Sequence, residues 1–231
     1  AALVSACISA PLLGQAPTTE QRSVKGAQVA IYNLAGRLRA PPGTGDAVVV
    51  DIARGGADAS KLKIESGTIR GRETLRIVYP SDRIVYPEMR GRSRSSLNVR
   101  PDGTFSDGGD WNERDRDRVD IRGYGDGLEA FADLTIQIPK GQRIELYLGV
   151  GRVDIQNVEG DLLVDVASAE VDVSGTKGPL TLDTGSGRVS VRDATGDLNI
   201  DSGSGGLSVD RLKGGSLRID SGSGGIEGND I

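Results

Sequence analysis

The 231-residue chain is 36% apolar and 3% aromatic, with 34 glycines, about twice ordinary usage, so its core must be thin, aliphatic and cut by tight turns. It contains no histidine, which excludes Ser-His and Cys-His nucleophilic sites, His-ligated zinc and the commonest general base. Net charge is −5, with 15 Lys/Arg against 8 Asp/Glu in residues 1–100 and 13 against 25 in residues 101–231; the acidic half argues against nucleic-acid binding.

The first segment, "AALVSACISAPLLGQA" at 1–16, is uncharged and mostly apolar. It is shorter than the roughly 20 residues that cross a bilayer. Its small residues Gly14 and Ala16 precede a polar stretch, as at a signal-peptidase cut. It reads as a signal peptide clipped at its front, which implies a secreted or periplasmic protein, or one on the outer cell surface. Cys7 is the sole cysteine, and "VSAC" fits a lipid-anchor motif loosely. The residues after it, "ISAPLL", stay apolar where a lipoprotein turns polar. Cleavage after Ala16 would leave no cysteine and hence no disulfide.

Residues 17–139 read as an N-terminal β region. "QVAIYNLAGRLRA" and "AVVVDIARGG" alternate apolar and polar residues with the period of two that marks strands. "RIVYP" occurs at 76–80 and again at 83–87, and each proline is expected to end a strand, because it donates no ladder hydrogen bond. Residues 88–118 are polar and turn-rich, a loop or hairpin insertion. Within it Arg90, Arg92 and Arg94 form a basic cluster and Trp111 is the only tryptophan. These four are candidates for contact with a polymer; the plainer reading is a solvated loop. Asp110, Glu113, Asp115, Asp117 and Asp120 alternate with Arg114, Arg116 and Arg118, which suggests internal charge pairing. The same acids would be the machinery of a sugar-cleaving β-helix, were the protein an enzyme. "GLEAFADL" at 127–134 would allow one helical turn.

From 140 to 231 the chain repeats. "DTGSGRVSV" at 183–191 returns as "DSGSGGLSV" at 201–209 and "DSGSGGIEG" at 220–228. Units beginning at Gln142, Gly160, Gly178, Gly196 and Gly215 are spaced by 18, 18, 18 and 19 residues. Two places into each lie Ile144, Leu162, Leu180, Leu198 and Leu217; four places in lie Leu146, Val164, Leu182, Ile200 and Ile219. Eleven places in lie Val153, Val171, Val189, Leu207 and Ile226. Each unit is two short strands around a Gly-Ser-Gly corner, where glycine supplies the backbone freedom of a tight turn. An antiparallel meander would fit such units, but parallel stacking explains better why one residue type recurs in register. The expected fold is therefore an all-β, single-stranded β-solenoid, β-helix-like, of about 18 residues per coil. Ile231 falls mid-unit, so the chain is expected to continue, and an open coil edge would favour self-association.

Tyr147, Asp165, Asp183, Asp201 and Asp220 share the fifth position of the units, between two inward residues, and so are expected to face out. The four aspartates are candidate Ca²⁺ ligands; the plainer reading is solvated, turn-supporting acids. No G-x-G-x-x-G fingerprint follows a strand, and no cofactor is expected.

The run from Ala132 to Gly206, with "LTIQIPKG" followed by "GDL" and "DTGSG" coils, resembles the bacterial family named "putative adhesins", a β-solenoid domain of unknown function. "VAIYNLAGRLRA" at 29–40 is similar to that family's first coil, and the resemblance extends over about 29–231. "ASAE" at 167–170 departs from it by replacing a Gly-Ser-Gly corner. The resemblance implies a surface or scaffolding module that binds an unidentified surface polymer or protein, and it carries no catalytic residues. An accessory to envelope-stress signalling in the periplasm is a further alternative.

Overall fold

A computed structural model describes residues 19–89, 93–106 and 117–231. The signal-peptide reading and Cys7 lie outside these residues, as do Arg90, Arg92, Asp110, Trp111, Glu113 and Asp115. Among the described residues there are nineteen strands and one short 3₁₀ turn, Ala59–Lys61. The N-terminal region supplies β1 (Thr19–Val24), β2 (Gln28–Ala40), β3 (Pro42–Gly43), β4 (Val48–Gly55), β5 (Lys63–Ile69) and β6 (Arg72–Val78). Next come β7 (Arg83–Val85), β8 (Arg94–Val99), β9 (Asp117–Arg122), β10 (Leu128–Glu129) and β11 (Phe131–Pro139). The two "RIVYP" prolines lie just past the ends of β6 and β7. The stretch that would allow a helical turn is strand instead, because β11 is drawn into a ladder with β4.

The repeats form β12 (Gln142–Gln156), β13 (Gly160–Ser174), β14 (Leu180–Ser186), β15 (Val189–Thr195), β16 (Leu198–Ser204), β17 (Leu207–Lys213), β18 (Leu217–Ser223) and β19 (Ile226–Asn229). All of them pair in parallel. Leu162 lies beside Leu180 and Leu180 beside Leu198, each 18 residues on, and Leu198 beside Leu217, 19 residues on. The meander is thereby excluded, and the arrangement is solenoid-like. The first half of β13 pairs with β14 and its second half with β15, so each coil has two flat sides joined at a corner. One side runs through β14, β16 and β18, the other through β15, β17 and β19. The long strand β2 pairs with β12 along its whole length and acts as the coil before it, at the place where the resemblance puts a first coil.

The core is a set of aliphatic columns. Val29, Ile144, Leu162, Leu180 and Leu198 stack in one, and Ile31, Leu146, Val164, Leu182 and Ile200 in the next, all 2% exposed or less. Each such side chain contributes about 1.5–3 kcal/mol relative to exposure. At the corner the chain approaches the coil before it so closely that a Cβ on Gly151 (φ +139°) would lie 1.8 Å from the Gly36 carbonyl oxygen. In the "ASAE" coil the same place is held by Ala169, and β13 runs through the corner without interruption.

A small sheet ordered β10-β7-β9-β8 packs beside the first coils. The loop after β8 folds over one flat side, where Arg76 donates to the Asp102 carbonyl (2.6 Å) and Phe105 meets Tyr32 and Tyr147 edge-on. Tyr147, expected from the repeat to face out, is instead part of the buried core at 3% exposure, because this loop covers it. It stacks flat on Tyr32 at 4.4 Å, and its hydroxyl donates to Glu145 (2.8 Å). Glu145 is also paired with Arg72, so a buried charge is met by its opposite. In the rest of that column Asp165 is half-buried, and Asp183, Asp201 and Asp220 are exposed.

Candidate functional site

Two faces of the coils carry polar side chains in rows. On the first, Asp165, Asp183, Asp201 and Asp220 pair in register, as the repeat predicts. Partial burial, and then the charge of Asp201, push the Asp183 carboxyl above the usual carboxylate range. Among the described residues no three acidic groups converge as they would around a metal ion. An acid ladder along one line presents its oxygens side by side rather than around a centre.

The opposite flat side is wider. Alternation along β2 buries Leu38 and turns Arg37 and Arg39 outward, and the same pattern recurs as Arg152 and Asp154 about Val153, and Glu170 and Asp172 about Val171. These residues join one row that crosses nine strands. It runs Gln21, Asp51, Thr135, Arg39, Asp154, Asp172, Ser190, Ser208 and Glu227, each the paired neighbour of the next. At about 4.8 Å per strand the row is roughly 38 Å long.

The centre of this face is held rigid by charge pairs. Arg37 donates to Glu88 Oε2 through Nε (3.0 Å) and Nη2 (2.7 Å), and Glu88 also accepts from the Tyr86 hydroxyl (3.1 Å). The Arg37 backbone N–H donates to Asp133 Oδ1 (2.9 Å), while burial pushes the Asp133 carboxyl up. Arg152 donates to Asp154 (3.1 Å), to Glu170 (3.1 Å) and to Asp172 (2.6 Å), spanning two coils. Asp51 accepts from Gln21 (2.7 Å) and Gln137 (3.4 Å). Arg39 and Arg188 are exposed and have no ion pair among the described residues.

Three concavities open on this side. One of about 520 Å³ lies between the coil corner and the small sheet, lined by Arg37, Tyr86, Glu88, Met89, Ser93, Arg152 and Glu170. A second, of about 430 Å³, is bounded by Arg39, Pro41, Thr135, Asp154 and Gln156; a third, of about 290 Å³, by Thr19, Arg37, Arg39, Asp51, Asp133 and Thr135. Arg37 and Arg39 link all three. A crevice of about 380 Å³ between β6 and the small sheet, lined by Tyr79, Asp82, Arg100 and Asp117, lies apart from this face.

Of the four sequence-predicted polymer contacts, Arg94 alone lies among the described residues, and it is away from this face. Arg94 sits on β8 and donates to both carboxylate oxygens of Asp120 (3.1 Å to Oδ1), which Ser96 also reaches (2.5 Å). Those bonds hold the Asp120 carboxyl down at about 2. The pairing of insertion acids with arginines is thus present for Asp120, and Asp117 opens β9 beside it. The row itself was legible as "R-V-D", "E-V-D" and "R-V-S" at one place in successive units, had the tenth and twelfth positions been aligned as the apolar ones were.

An all-β chain with parallel, in-register coils and a broad polar side belongs to the solenoid-like architectures. Residues 126–231 match the model of the Toastrack DUF4097 family, a domain of unknown function, to which this part of the chain is similar. A crystal structure of a putative cell adhesion protein from Clostridium sporogenes is similar over 93% of this chain and 99% of that chain, with 13% identity and a TM-score of 0.46. No curated protein matches the chain.

Proposed function

We propose that the protein is a non-catalytic module of the cell envelope or cell exterior that binds an extended polymer along the nine-strand polar side. The observation that carries this reading is the unbroken row from Gln21 to Glu227, with three concavities linked by Arg37 and Arg39. Donors and acceptors recur at each strand, so many weak contacts would add along one chain. The face mixes both charges, which suits a hydroxyl-rich polysaccharide better than a uniformly charged one. We assign the fold to single-stranded β-solenoids of about 18 residues per coil, supported by the 18- and 19-residue registers, with 17–139 as its N-terminal β region and 140–231 as its regular coils. The apolar segment 1–16, read as a signal peptide, supports a secreted, periplasmic or surface location.

The test is affinity for neutral cell-wall polysaccharides by co-sedimentation, repeated with Arg39→Glu and Arg188→Glu. A loss of about tenfold or more for the pair is expected, roughly what two charged hydrogen-bonding partners contribute. Binding that ignores both substitutions would sink the reading. Turnover of the polymer that vanishes in Asp117→Ala would favour the enzyme instead.

A further inference from the structure

One residue of the repeated D-[T/S]-G-S-G motif has no role in the corner. The Asp faces out, and the last Gly takes the tight turn, with φ +131° at Gly187 and +129° at Gly205. The second residue, however, points inward. Thr184 and Ser202 are each 1% exposed, and Thr184, Ser202 and Ser221 stack in register. The hydroxyl oxygen of each is buried and has no hydrogen-bond partner among the described residues. Coils nearer the N-terminus place Leu148 and Val166 at this position, so an aliphatic side chain fits the column.

A buried hydroxyl without a partner is unfavourable, and three successive coils repeat it. Ser186 reaches Ser168 directly across one rung (3.1 Å), but Thr184, Ser202 and Ser221 make no such bond to one another, and their backbone rungs stand about 4.8 Å apart. An oxygen lying beside two such hydroxyls, at bonding distance from both, subtends an angle of about 120°, close to tetrahedral. Serine lacks the second branch of valine or threonine, which leaves room next to the column at Ser202 and Ser221. A small molecule that both donates and accepts is required, and water is the one that meets every condition.

We propose that Thr184, Ser202 and Ser221 form an internal water-binding column, with one ordered water bridging each successive pair of hydroxyls. The motif then specifies a hydrated interior in the later coils where the earlier ones are dry. Oxygen-17 relaxation dispersion on the whole chain counts long-lived internal waters. The count is expected to fall in the Thr184→Val, Ser202→Ala double variant; an unchanged count overturns the proposal. Thr184→Val alone keeps the shape and removes the hydroxyl, and it should lower the thermal midpoint by about 2–4 °C. A raised midpoint would mark relief of a dry, unpaired hydroxyl and overturns the proposal even if the double variant fails to fold.

Discussion

The first coils and the last are written in the same repeat and live in different surroundings. In β12 the fifth position holds Tyr147, stacked on Tyr32 and roofed by Phe105; in β18 it holds Asp220, exposed. Column residues Ile144 and Leu146 are at most 1% exposed, whereas Leu217 and Ile219 are half-buried and Ile226 is 52% exposed. The same inward position is Leu148 and Val166 early, and Thr184, Ser202 and Ser221 late. A coil's stability therefore depends on its neighbours more than on its own sequence, as in other one-dimensional repeats.

Four substitutions probe that contrast. The largest effect is expected at the corner. Gly151→Ala sets a Cβ 1.8 Å from the Gly36 oxygen at φ +139°, and should cost about 3 kcal/mol or more or prevent folding. Gly224→Ala meets the same distance from the Gly205 oxygen, but its coil is exposed and would peel away at much smaller cost. Equal losses in chemical denaturation would break the comparison.

Next comes the buried pair under the first coil's cover. Arg72→Ala strands Glu145 beside Tyr147 and should destabilise by about 3 kcal/mol, read from urea unfolding. A change below about 0.5 kcal/mol would mean that water reaches Glu145 and that the roof is loose.

The smallest effect, and the one with a distinctive sign, concerns acid. Asp183 has its pKa raised by partial burial and by Asp201, so folding disfavours its charge, and stability is gained as pH falls through the raised value. Asp120 is the opposite case. Bonds from Arg94 and Ser96 lower it to about 2, so its contribution is present above the unfolded value near 3.9 and is lost as pH falls toward 2. Asp183→Asn should stabilise the later coils at neutral pH by about 0.5 kcal/mol and flatten their acid response. Hydrogen exchange of β14 and β16 amides at two pH values checks both; a slower exchange in the native protein than in the variant at pH 7 would contradict it.

Much of the fold was legible because stacking imposes one rule on every coil. Leu162, Leu180 and Leu198 had to be aliphatic, and the corner had to be glycine wherever a Cβ would strike the carbonyl of the coil before it. Asp183, Asp201 and Asp220 were likewise readable as an outward column, since they alternate with inward Leu182, Ile200 and Ile219. The nine-strand polar side was harder. Gln21, Asp51 and Thr135 lie far apart in the chain and outside the repeat, and only the antiparallel pairing of β1 with β4 and of β4 with β11, together with the parallel pairing of β11 with β2, brings them into line with Arg39 and Asp154.

Local alternation and an 18-residue recurrence thus determined which residues face inward in 142–228 and that equivalent strands lie side by side. What covers the outward ones was decided only in three dimensions. A strand's period of two separates its faces but carries no information about what a distant loop will place on them, so Tyr147 is buried against Phe105 while Asp183, at the same position two coils on, is exposed.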